Sequence, residues 1–95
     1  MAVGGAVCDT SSRRARAFAT LVLEEVDSAS AKHAPMNSLH EAYAVILEEM
    51  DELWDECKRK RKLRDHGNIH VELKQIAAMA IRAAADLGFH QREAV

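Results

Sequence analysis

Carboxylates at helical spacing are the side chains of this sequence best suited to chemistry. Glu49 and Glu52 are three positions apart and Glu48 and Glu52 are four apart, so their side chains emerge as neighbours on a helix. No basic residue lies beside them, and like charges at this spacing repel each other. A hard divalent cation such as Mg²⁺, which takes oxygen ligands, would remove the repulsion. The alternative is a purely solvated acidic face, which is what we expect of Asp51 and Asp55.

Glu72 is a carboxylate in an apolar setting. On a third predicted helix, at roughly 100° per residue, it projects within about 40° of Ile76, and Gln75 lies one step further along the same edge. A charge taken into a core without a partner is costly. Its partner is either the cation held by the acids of the second helix or a salt bridge to Lys74 or Arg82. The short turn between the two helices makes them antiparallel neighbours, which brings the two acidic sites face to face.

The elements that must position these acids are helices. Hydrophobic residues make up 48% of the chain but aromatic residues only 4%, with 4 Gly and 1 Pro, a composition typical of an all-α protein. Three main helices are predicted, from Ser11 or Ser12 to about Ser30, from Ser38 to about Lys62, and from Asn68 as the cap to Leu87, with Gly88 ending the third. We expect a single helical domain of residues 11–88, between a disordered N-terminal tail of residues 1–10 and a C-terminal tail of residues 89–95.

The start of the second helix carries a clear local signal. Pro35 ends the helical pattern that precedes it and disfavours helical geometry at Ala34. Ser38 and Glu41 then form a capping box, in which the serine oxygen accepts from a first-turn amide and Glu41 reaches back to the amide of Ser38.

Apolar positions predict how the helices pack. The second helix has an apolar stripe that alternates in steps of four and three, the spacing that packs helices side by side. Its members are Leu39, Tyr43, Ile46, Met50, Leu53 and Cys57. We expect this stripe to be buried, with Trp54 packed beside it. The third helix is apolar on two opposite sides, which a three-helix monomer can hardly bury, so we expect a homo-oligomer.

Charge and cysteine usage limit the class of protein. The chain has 13 Lys and Arg residues and 15 Asp and Glu residues, which gives a formal charge of −2. No overall positive charge therefore attracts the chain to nucleic acid, which is not an expected partner. The pair Glu24-Glu25 has no third acid at the matching place, and we assign it no chemistry. Cys8 and Cys57 are expected to be reduced thiols. The sequence contains no signal peptide and no membrane-spanning stretch, so we expect a cytoplasmic protein with no membrane partner.

A basic run closes the second helix. Lys58 to Lys62 is uninterrupted, and Arg64 follows. Cations there suit the negative end of the helix dipole, and phosphate contact is the functional alternative. His66 and His70 are four apart like a zinc pair, but Gly67-Asn68 between them predicts a turn, so no metal ligation is assigned to them.

The order of the acids resembles the pattern of a known family. Glu48 to Glu52, a basic linker, and Glu72 to Gln75 with an alanine-rich continuation are similar to the MazG-like all-α nucleoside triphosphate pyrophosphohydrolases. Their pattern is Glu-Glu-x-x-Glu on one helix and Glu-x-x-Asp on the next, and the match covers about Ser38 to Leu87. The resemblance implies an enzyme that uses Mg²⁺, or Mn²⁺, to hydrolyse nucleoside triphosphates between the α and β phosphates. It also implies dimers, or dimers of dimers, with a four-helix bundle at the centre.

The resemblance also implies roles for individual residues. Mg²⁺ would lie between Glu49, Glu52 and Glu72, with Gln75 as a weaker or more distant oxygen donor. Glu48 is the candidate to orient or deprotonate the attacking water. The candidates for steadying the substrate phosphates are Lys58, Lys62, Arg64 and Arg82.

Gln75 is the one departure from the family pattern, which has aspartate there. Glutamine keeps an oxygen donor but loses a charge. Three outcomes remain open: lower metal affinity, an ion held by three carboxylates alone, or loss of activity. The rival interpretation is a non-catalytic helical dimer that acts as a nucleotide-binding or protein-interaction module.

Overall fold

The computed structural model describes residues 10–92, which fold as three α-helices without a β-strand. Helix α1 spans Thr10–Lys32, α2 spans Leu39–Cys57 and α3 spans His66–Leu87, with a turn of 3₁₀-helix at Arg61–Leu63. The predicted all-α class is confirmed for this part of the chain. Of the expected tails, residues 1–9 and 93–95 lie outside the described residues, whereas Thr10 belongs to α1. None of the described helices combines the length and apolarity needed to cross a bilayer.

Helix α1 is longer than predicted at both ends. Because it already includes Thr10, Ser11 and Ser12 are helical and the prediction that one of them is the cap is wrong. At its other end α1 passes Ser30, and the amide of His33 still donates to the carbonyl of Ala29 at 2.9 Å. The helix therefore ends only at Lys32, shortly before Ala34, where the following Pro35 disfavours helical backbone geometry.

The predicted start of α2 is confirmed, with one change in the hydrogen bonding. The Oγ of Ser38 accepts from the amide of Glu41 at 3.0 Å, as expected of the cap. The carboxylate of Glu41 accepts instead from the amide of Asn37 at 2.6 Å, one residue earlier than a capping box requires. The cap is thus formed by the serine, while the glutamate fixes the loop before it.

Helix α2 ends at Cys57, five residues before the predicted end at Lys62. The run of consecutive cations that follows would place like charges at neighbouring helical positions. The guanidinium of Arg64 folds back and donates to the carbonyl of Cys57 at 2.9 Å, which satisfies one of the free carbonyls at the helix end. The basic run therefore forms a compact turn rather than a last helical turn.

Helix α3 begins earlier than predicted. Asp65 is its cap and accepts from the amide of Asn68 at 3.1 Å, so the prediction of Asn68 as the cap is wrong. His66 and His70 consequently lie on one continuous helix, contrary to the predicted turn between them, but neither belongs to the possible metal-ligating group found among residues 10–92. At its far end, α3 stops at Gly88 with a φ of 83°, the left-handed conformation that favours glycine.

Helix α3 is the central element of the fold. Both α1 and α2 pack against it, and Ala78 and Met79 are buried within the core. The small core is completed by Val22, Ala29, Met36 and Ala42. This arrangement explains why α3 is apolar on two sides: α1 of the same chain supplies the second cover. The composition of α3 by itself therefore does not require another subunit.

Helix α2 is rotated relative to the predicted packing. Of the expected buried stripe, Ile46 and Leu53 are half-buried, whereas Leu39, Tyr43, Met50 and Cys57 are exposed. The most buried side chains of α2 are Ala42 and Glu56. At roughly 100° per residue, the face toward α3 is turned by about 80° from the predicted stripe and includes the acids. Trp54, expected in the core, is 59% exposed.

A buried carboxylate holds the turn between α2 and α3. Glu56 is only 5% exposed, and its two oxygens accept from the amide of Asp65 at 3.1 Å and from the side-chain amide of Asn68 at 3.2 Å. Its Oε2 also lies 3.7 Å from the guanidinium of Arg59. These contacts join the end of α2 to the cap of α3.

Replacing Glu56 with Gln is expected to destabilise the fold by about 1–3 kcal/mol, because one acceptor becomes a donor that faces donors in a buried site. Chemical denaturation of the metal-free protein measures this change. Asp55→Asn is the matched control, because Asp55 is the exposed neighbour, and it should change the free energy of unfolding by no more than about 0.5 kcal/mol. Equal losses from both substitutions would contradict a specific role for Glu56.

Candidate metal centre

The three helices enclose a groove whose floor is α3. Its cavity volume of about 550 Å³ lies in the range of small-molecule sites. The floor consists of Val71, Glu72, Gln75, Met79 and Arg82. The side formed by α1 consists of Glu25, Ala29, Lys32 and His33, and the side formed by α2 consists of Glu41, Val45, Glu48, Glu49 and Glu52. The loop between α1 and α2 contributes Ala34 and Met36. Because the helical repeat places residues three and four apart on one face, α3 presents its floor residues as one continuous row.

Glu49, Glu52 and Glu72 form a compact acidic group at one end of this groove. Each offers one carboxylate oxygen, and these oxygens all lie within 4.8 Å of one another, so the group could hold a metal ion. Two ligands of an octahedral Mg²⁺ are about 3.0 Å apart when adjacent and about 4.2 Å apart when opposite, from a metal–oxygen distance of about 2.1 Å. Small side-chain adjustments would bring the three oxygens within this range.

The surroundings of Glu72 fit a cation. Its Oε1 atom is buried and has no hydrogen-bond partner, and among residues 10–92 it forms no salt bridge. The salt bridge to Lys74 or Arg82 that was the alternative from the sequence is therefore not formed. A buried carboxylate oxygen without a donor leaves its charge uncompensated within the chain.

Both Glu52 and Glu72 have a raised pKa. The pKa of Glu52 is raised first by the negative charge of Glu72 nearby and then by a hydrogen bond to Glu72, with smaller contributions from burial and from Glu48. Burial raises the pKa of Glu72, and a hydrogen bond with Glu49 adds to this effect. Two carboxyl groups can share a hydrogen bond only when one of them carries a proton. The close approach of these acids thus disfavours their ionised forms unless a cation lies among them.

This raised pKa predicts an unusual pH dependence. Because Glu52 and Glu72 bind protons more tightly in the folded than in the unfolded chain, their contribution favours folding below about pH 4.5 and is lost as the pH rises through their folded pKa values. Relative to Glu72→Gln, the natural metal-free protein should therefore gain thermal stability on acidification from neutral pH. Saturating Mg²⁺ should reverse this difference, because protons compete with the ion. Melting curves over pH test both parts, and a natural protein that loses stability relative to Glu72→Gln on metal-free acidification would contradict the prediction.

The other predicted site residues of α2 and α3 also line the groove. Gln75 is half-buried on the floor, one helical turn beyond Glu72, and Glu48 is an exposed residue on the α2 side. The structure thus brings all the predicted acids and Gln75 to one cavity. Glu25, to which we assigned no chemistry, lines it as well, whereas Glu24 does not.

Three of the predicted phosphate-binding residues lie elsewhere. Lys58, Lys62 and Arg64 do not line the groove. Lys58 pairs with Asp55 at 3.3 Å, Lys62 lies in the 3₁₀ turn, and Arg64 is bonded to the end of α2. The physical reason is the early end of α2, which folds the basic run into the turn beyond the acids.

Arg82 does line the groove, but its contacts are structural. It is 5% exposed, donates from Nη2 to the carbonyl of Ala34 at 3.1 Å, and lies 3.8 Å from the carboxylate of Asp86. Asp86 in turn accepts from the amide of Met36 at 2.9 Å. This network ties the α1–α2 loop to α3. The Nε atom of Arg82 is buried without a hydrogen-bond partner.

Sequence reasoning missed Lys32 and His33 as residues of the groove. They lie at the end of α1 and line the cavity at the same end as Arg82. They stand just before Ala34-Pro35, where the chain leaves α1 and turns over the end of α3. The groove therefore has the group of Glu49, Glu52 and Glu72 toward one end, and Lys32, His33 and Arg82 toward the other.

Comparisons with known proteins found no matching family model and no significantly similar curated protein or solved structure. The resemblance to MazG-like enzymes thus rests on the residues themselves.

Proposed function

We propose that this protein is a nucleoside triphosphate pyrophosphohydrolase of the MazG-like kind, which uses Mg²⁺, or Mn²⁺, to cleave between the α and β phosphates and releases a monophosphate and pyrophosphate. The observation that carries the proposal is the approach of three carboxylate oxygens, from Glu49, Glu52 and Glu72, to within 4.8 Å of one another. The buried, unpartnered oxygen of Glu72 supports it, because a structural carboxylate would be expected to have a donor in that position.

In this proposal Glu49, Glu52 and Glu72 hold the ion, with Gln75 as a neutral oxygen donor on the same floor. When bound, the ion supplies charge stabilisation to the phosphate oxygens. Carboxylate and amide oxygens are the donors that Mg²⁺ and Mn²⁺ prefer, which argues against a thiolate or imidazole metal.

Glu48 is the proposed general base. It lies on the α2 side of the groove next to the metal ligands, and it is exposed, so water reaches it. Glu52, whose pKa is raised, is needed to bind the ion, which leaves Glu48 as the neighbouring carboxylate free to orient a water and accept its proton.

The groove is long enough for a nucleotide to lie along it. From Glu72 to Arg82 the floor of α3 rises about 15 Å, at 1.5 Å per residue. The carboxylate of Glu25 beside the floor repels phosphates and can accept hydrogen bonds from sugar hydroxyls, so we place the nucleoside there. Val45 and Met79 offer the base an apolar contact. The outer phosphates then leave the groove at the acidic end.

That acidic end is the one nearest the basic turn between α2 and α3. Glu52 lies six residues before Lys58, about 9 Å along a helix. Three cations are exposed at this turn, Lys58, Lys62 and Arg64, although Lys58 pairs with Asp55 and Arg64 donates to the carbonyl of Cys57. They would attract the outer phosphates without lining the cavity.

The second candidate function is a non-catalytic nucleotide-binding or protein-interaction module. Gln75 favours it, because the neutral amide stands on the groove floor where the family has a fourth carboxylate. Measuring pyrophosphate release over a panel of nucleoside triphosphates with Mg²⁺ or Mn²⁺ separates the two. Release that depends on the ion supports the enzyme, whereas thermal stabilisation by nucleotide without release supports the module.

A further inference from the structure

One end of the fold brings together two basic segments that are far apart in the sequence. Phe18 of α1 contacts His70 of α3, with ring centroids 5.5 Å apart. Toward the other end, Nη2 of Arg82 donates to the carbonyl of Ala34 at 3.1 Å. Helices α1 and α3 therefore run in the same direction. The start of α1 consequently lies at the same end of the fold as the turn between α2 and α3.

The two segments form one surface, called here the basic end. Because an α-helix rises about 1.5 Å per residue, Arg14 and His66 each lie about 6 Å beyond the contact of α1 with α3. Both α1 and α2 pack on α3, and axes of packed helices are about 8–10 Å apart, so the two segments lie within about 20 Å of each other. The members of the basic end are all exposed: Arg13, Arg14, Arg16, the run Lys58 to Lys62, and Arg64.

Most cations of the basic end have no carboxylate partner. Lys58 pairs with Asp55 at 3.3 Å, and Arg59 lies 3.7 Å from Glu56. The other members form no salt bridge within the part of the chain that the structure describes. Like charges at this density repel each other, and a polyanion would remove the repulsion. Six members have neither a salt bridge nor a side-chain hydrogen bond among residues 10–92: Arg13, Arg14, Arg16, Lys60, Arg61 and Lys62.

An exposed aromatic side chain adjoins the basic end. Trp54 is 59% exposed and lies one turn before Lys58, whose amide donates to its carbonyl at 3.0 Å. Residues four apart share a face of a helix, so the indole lies beside the first cation of the run. Proteins that bind single-stranded nucleic acid combine these two features, because cations follow the phosphates while unpaired bases stack on aromatic rings.

We propose that the basic end binds single-stranded nucleic acid, with phosphates along the cations from the start of α1 to the turn and one base stacked on Trp54. The net charge of −2, from which no nucleic-acid partner was expected, averages over the whole chain, whereas nine of its 13 lysines and arginines belong to the basic end. A local patch of this kind attracts a polyanion even when the total charge is negative.

Two other polyanions fit the basic end less well. A duplex keeps its bases stacked on each other, so it has none to place on Trp54. An anionic lipid surface binds best where cations accompany several apolar side chains. Within the basic run, the large apolar side chain that is exposed is Leu63 alone.

The basic end is separate from the groove, because none of its members lines the cavity. The inference therefore does not rest on the proposed hydrolysis of nucleotides. Three members, Lys58, Lys62 and Arg64, were also proposed to attract the outer phosphates of a nucleotide, so the variants that test the basic end are chosen from its other members.

Binding of a mixed-sequence oligonucleotide to the full chain tests the proposal. A single strand with a hydroxyl at its 5′ end, in the presence of EDTA, offers neither a triphosphate nor an ion to the groove. We expect micromolar affinity at low salt. The logarithm of the affinity should fall with the logarithm of the salt concentration with a slope of about −4, because roughly six cations each contribute about −0.7 for a single strand.

Two double variants test whether both segments take part. Arg14→Gln with Arg16→Gln removes two cations of α1, and Lys60→Gln with Arg61→Gln removes two cations of the turn. Each pair should reduce the steepness of the salt dependence by about 1.4 and weaken binding at low salt by about tenfold or more. A loss for the turn pair alone would overturn a site made of both segments.

Lys74→Gln with Arg92→Gln is the matched control. It removes the same charge from positions outside the basic end, since Lys74 lies within α3 and Arg92 beyond the far end of that helix. The control should bind the oligonucleotide as the natural protein does. Equal losses in all three double variants would overturn the proposal, because total charge would then decide binding. So would a natural protein that does not bind the single strand at low salt.

Trp54 tests the stacking and the kind of polyanion. It is the only tryptophan of the sequence, so quenching of its emission reports on a base stacked there. The single strand should quench this emission and a duplex of the same sequence should not. Trp54→Ala should weaken single-strand binding by about tenfold, whereas Trp54→Phe, which keeps a ring, should weaken it less.

Two results with other polyanions would overturn the proposal. The first is a duplex that binds as tightly as the single strand, with no quenching by either. The second is binding to vesicles of phosphatidylserine and phosphatidylcholine by a protein that does not bind the oligonucleotide, which would assign the basic end to a lipid surface.

Discussion

Replacing Glu52 with Gln is expected to abolish divalent-ion binding and, with it, pyrophosphate release. Glu52 is one of the three carboxylates whose oxygens come within 4.8 Å of one another, and its replacement leaves two. Charge stabilisation by such an ion is worth several kcal/mol, so turnover should fall at least about a hundredfold, at 1.36 kcal/mol per factor of ten. Thermal stabilisation is a second readout: at a hundredfold excess over its Kd, an ion adds about 2.7 kcal/mol, or about 10 °C or more for a domain of this size.

Glu24→Gln is the matched control for this experiment. It removes the same charge from a helix of the same chain, but Glu24 is exposed and does not line the groove. It should leave ion binding and turnover unchanged. Because the variant Glu52→Gln also relieves repulsion from Glu72, it should be at least as stable as the natural protein without metal, which separates loss of the ion from loss of the fold. Equal losses of ion binding in both variants would mean that general surface charge, and not a site, attracts the cation.

The acids could be found from the sequence because their spacing is a local property. Glu49 and Glu52 share a face of any helix that contains both, and Glu72 is conspicuous because a carboxylate in an apolar sector needs a partner. The Ser38 cap and the Gly88 end were predictable for the same reason, since each depends on only a few consecutive residues.

Packing between distant segments could not be read in the same way. The apolar stripe of α2 predicted a buried seam, but the small side chain of Ala42 and the hydrogen-bonded Glu56 are what α2 turns toward α3. Both depend on partners elsewhere in the chain: Asn68 for the glutamate, and the α3 surface for the alanine. The apolar residues of α2 that do not face α3 therefore remain exposed.

The contribution of α1 was missed for the same physical reason. Nothing in the local pattern of Lys32 and His33 indicates that they line the groove, because their position depends on the contact of α1 with α3 and on the loop held by Arg82. A helix that is apolar on two sides is expected to pack against two other segments, but its own sequence does not indicate which segments these are. For α3 that segment is α1, from the same chain.

Gln75→Asp is expected to tighten Mg²⁺ binding by about tenfold if the groove is catalytic, because an anion holds a hard cation better than a neutral amide does. Gln75 lines the floor one turn beyond Glu72, so a carboxylate there would extend the existing group. Pyrophosphate release at limiting Mg²⁺ should rise with the affinity, while release at saturating Mg²⁺ should change less. Titrating Mg²⁺ for both proteins over a panel of nucleoside triphosphates measures this directly.

The same substitution has the opposite effect if the groove works without a metal. An added aspartate would then face Glu49, Glu52 and Glu72, two of which already have a raised pKa, and the extra charge would lower stability at neutral pH. Gln75→Asn is the control, because it shortens the side chain as aspartate does but adds no charge. A fall in the melting temperature for aspartate alone, with no gain in turnover, would favour the binding module. If neither protein releases pyrophosphate at saturating Mg²⁺ or Mn²⁺, the enzyme proposal fails, because the ion can then be bound without any chemistry following.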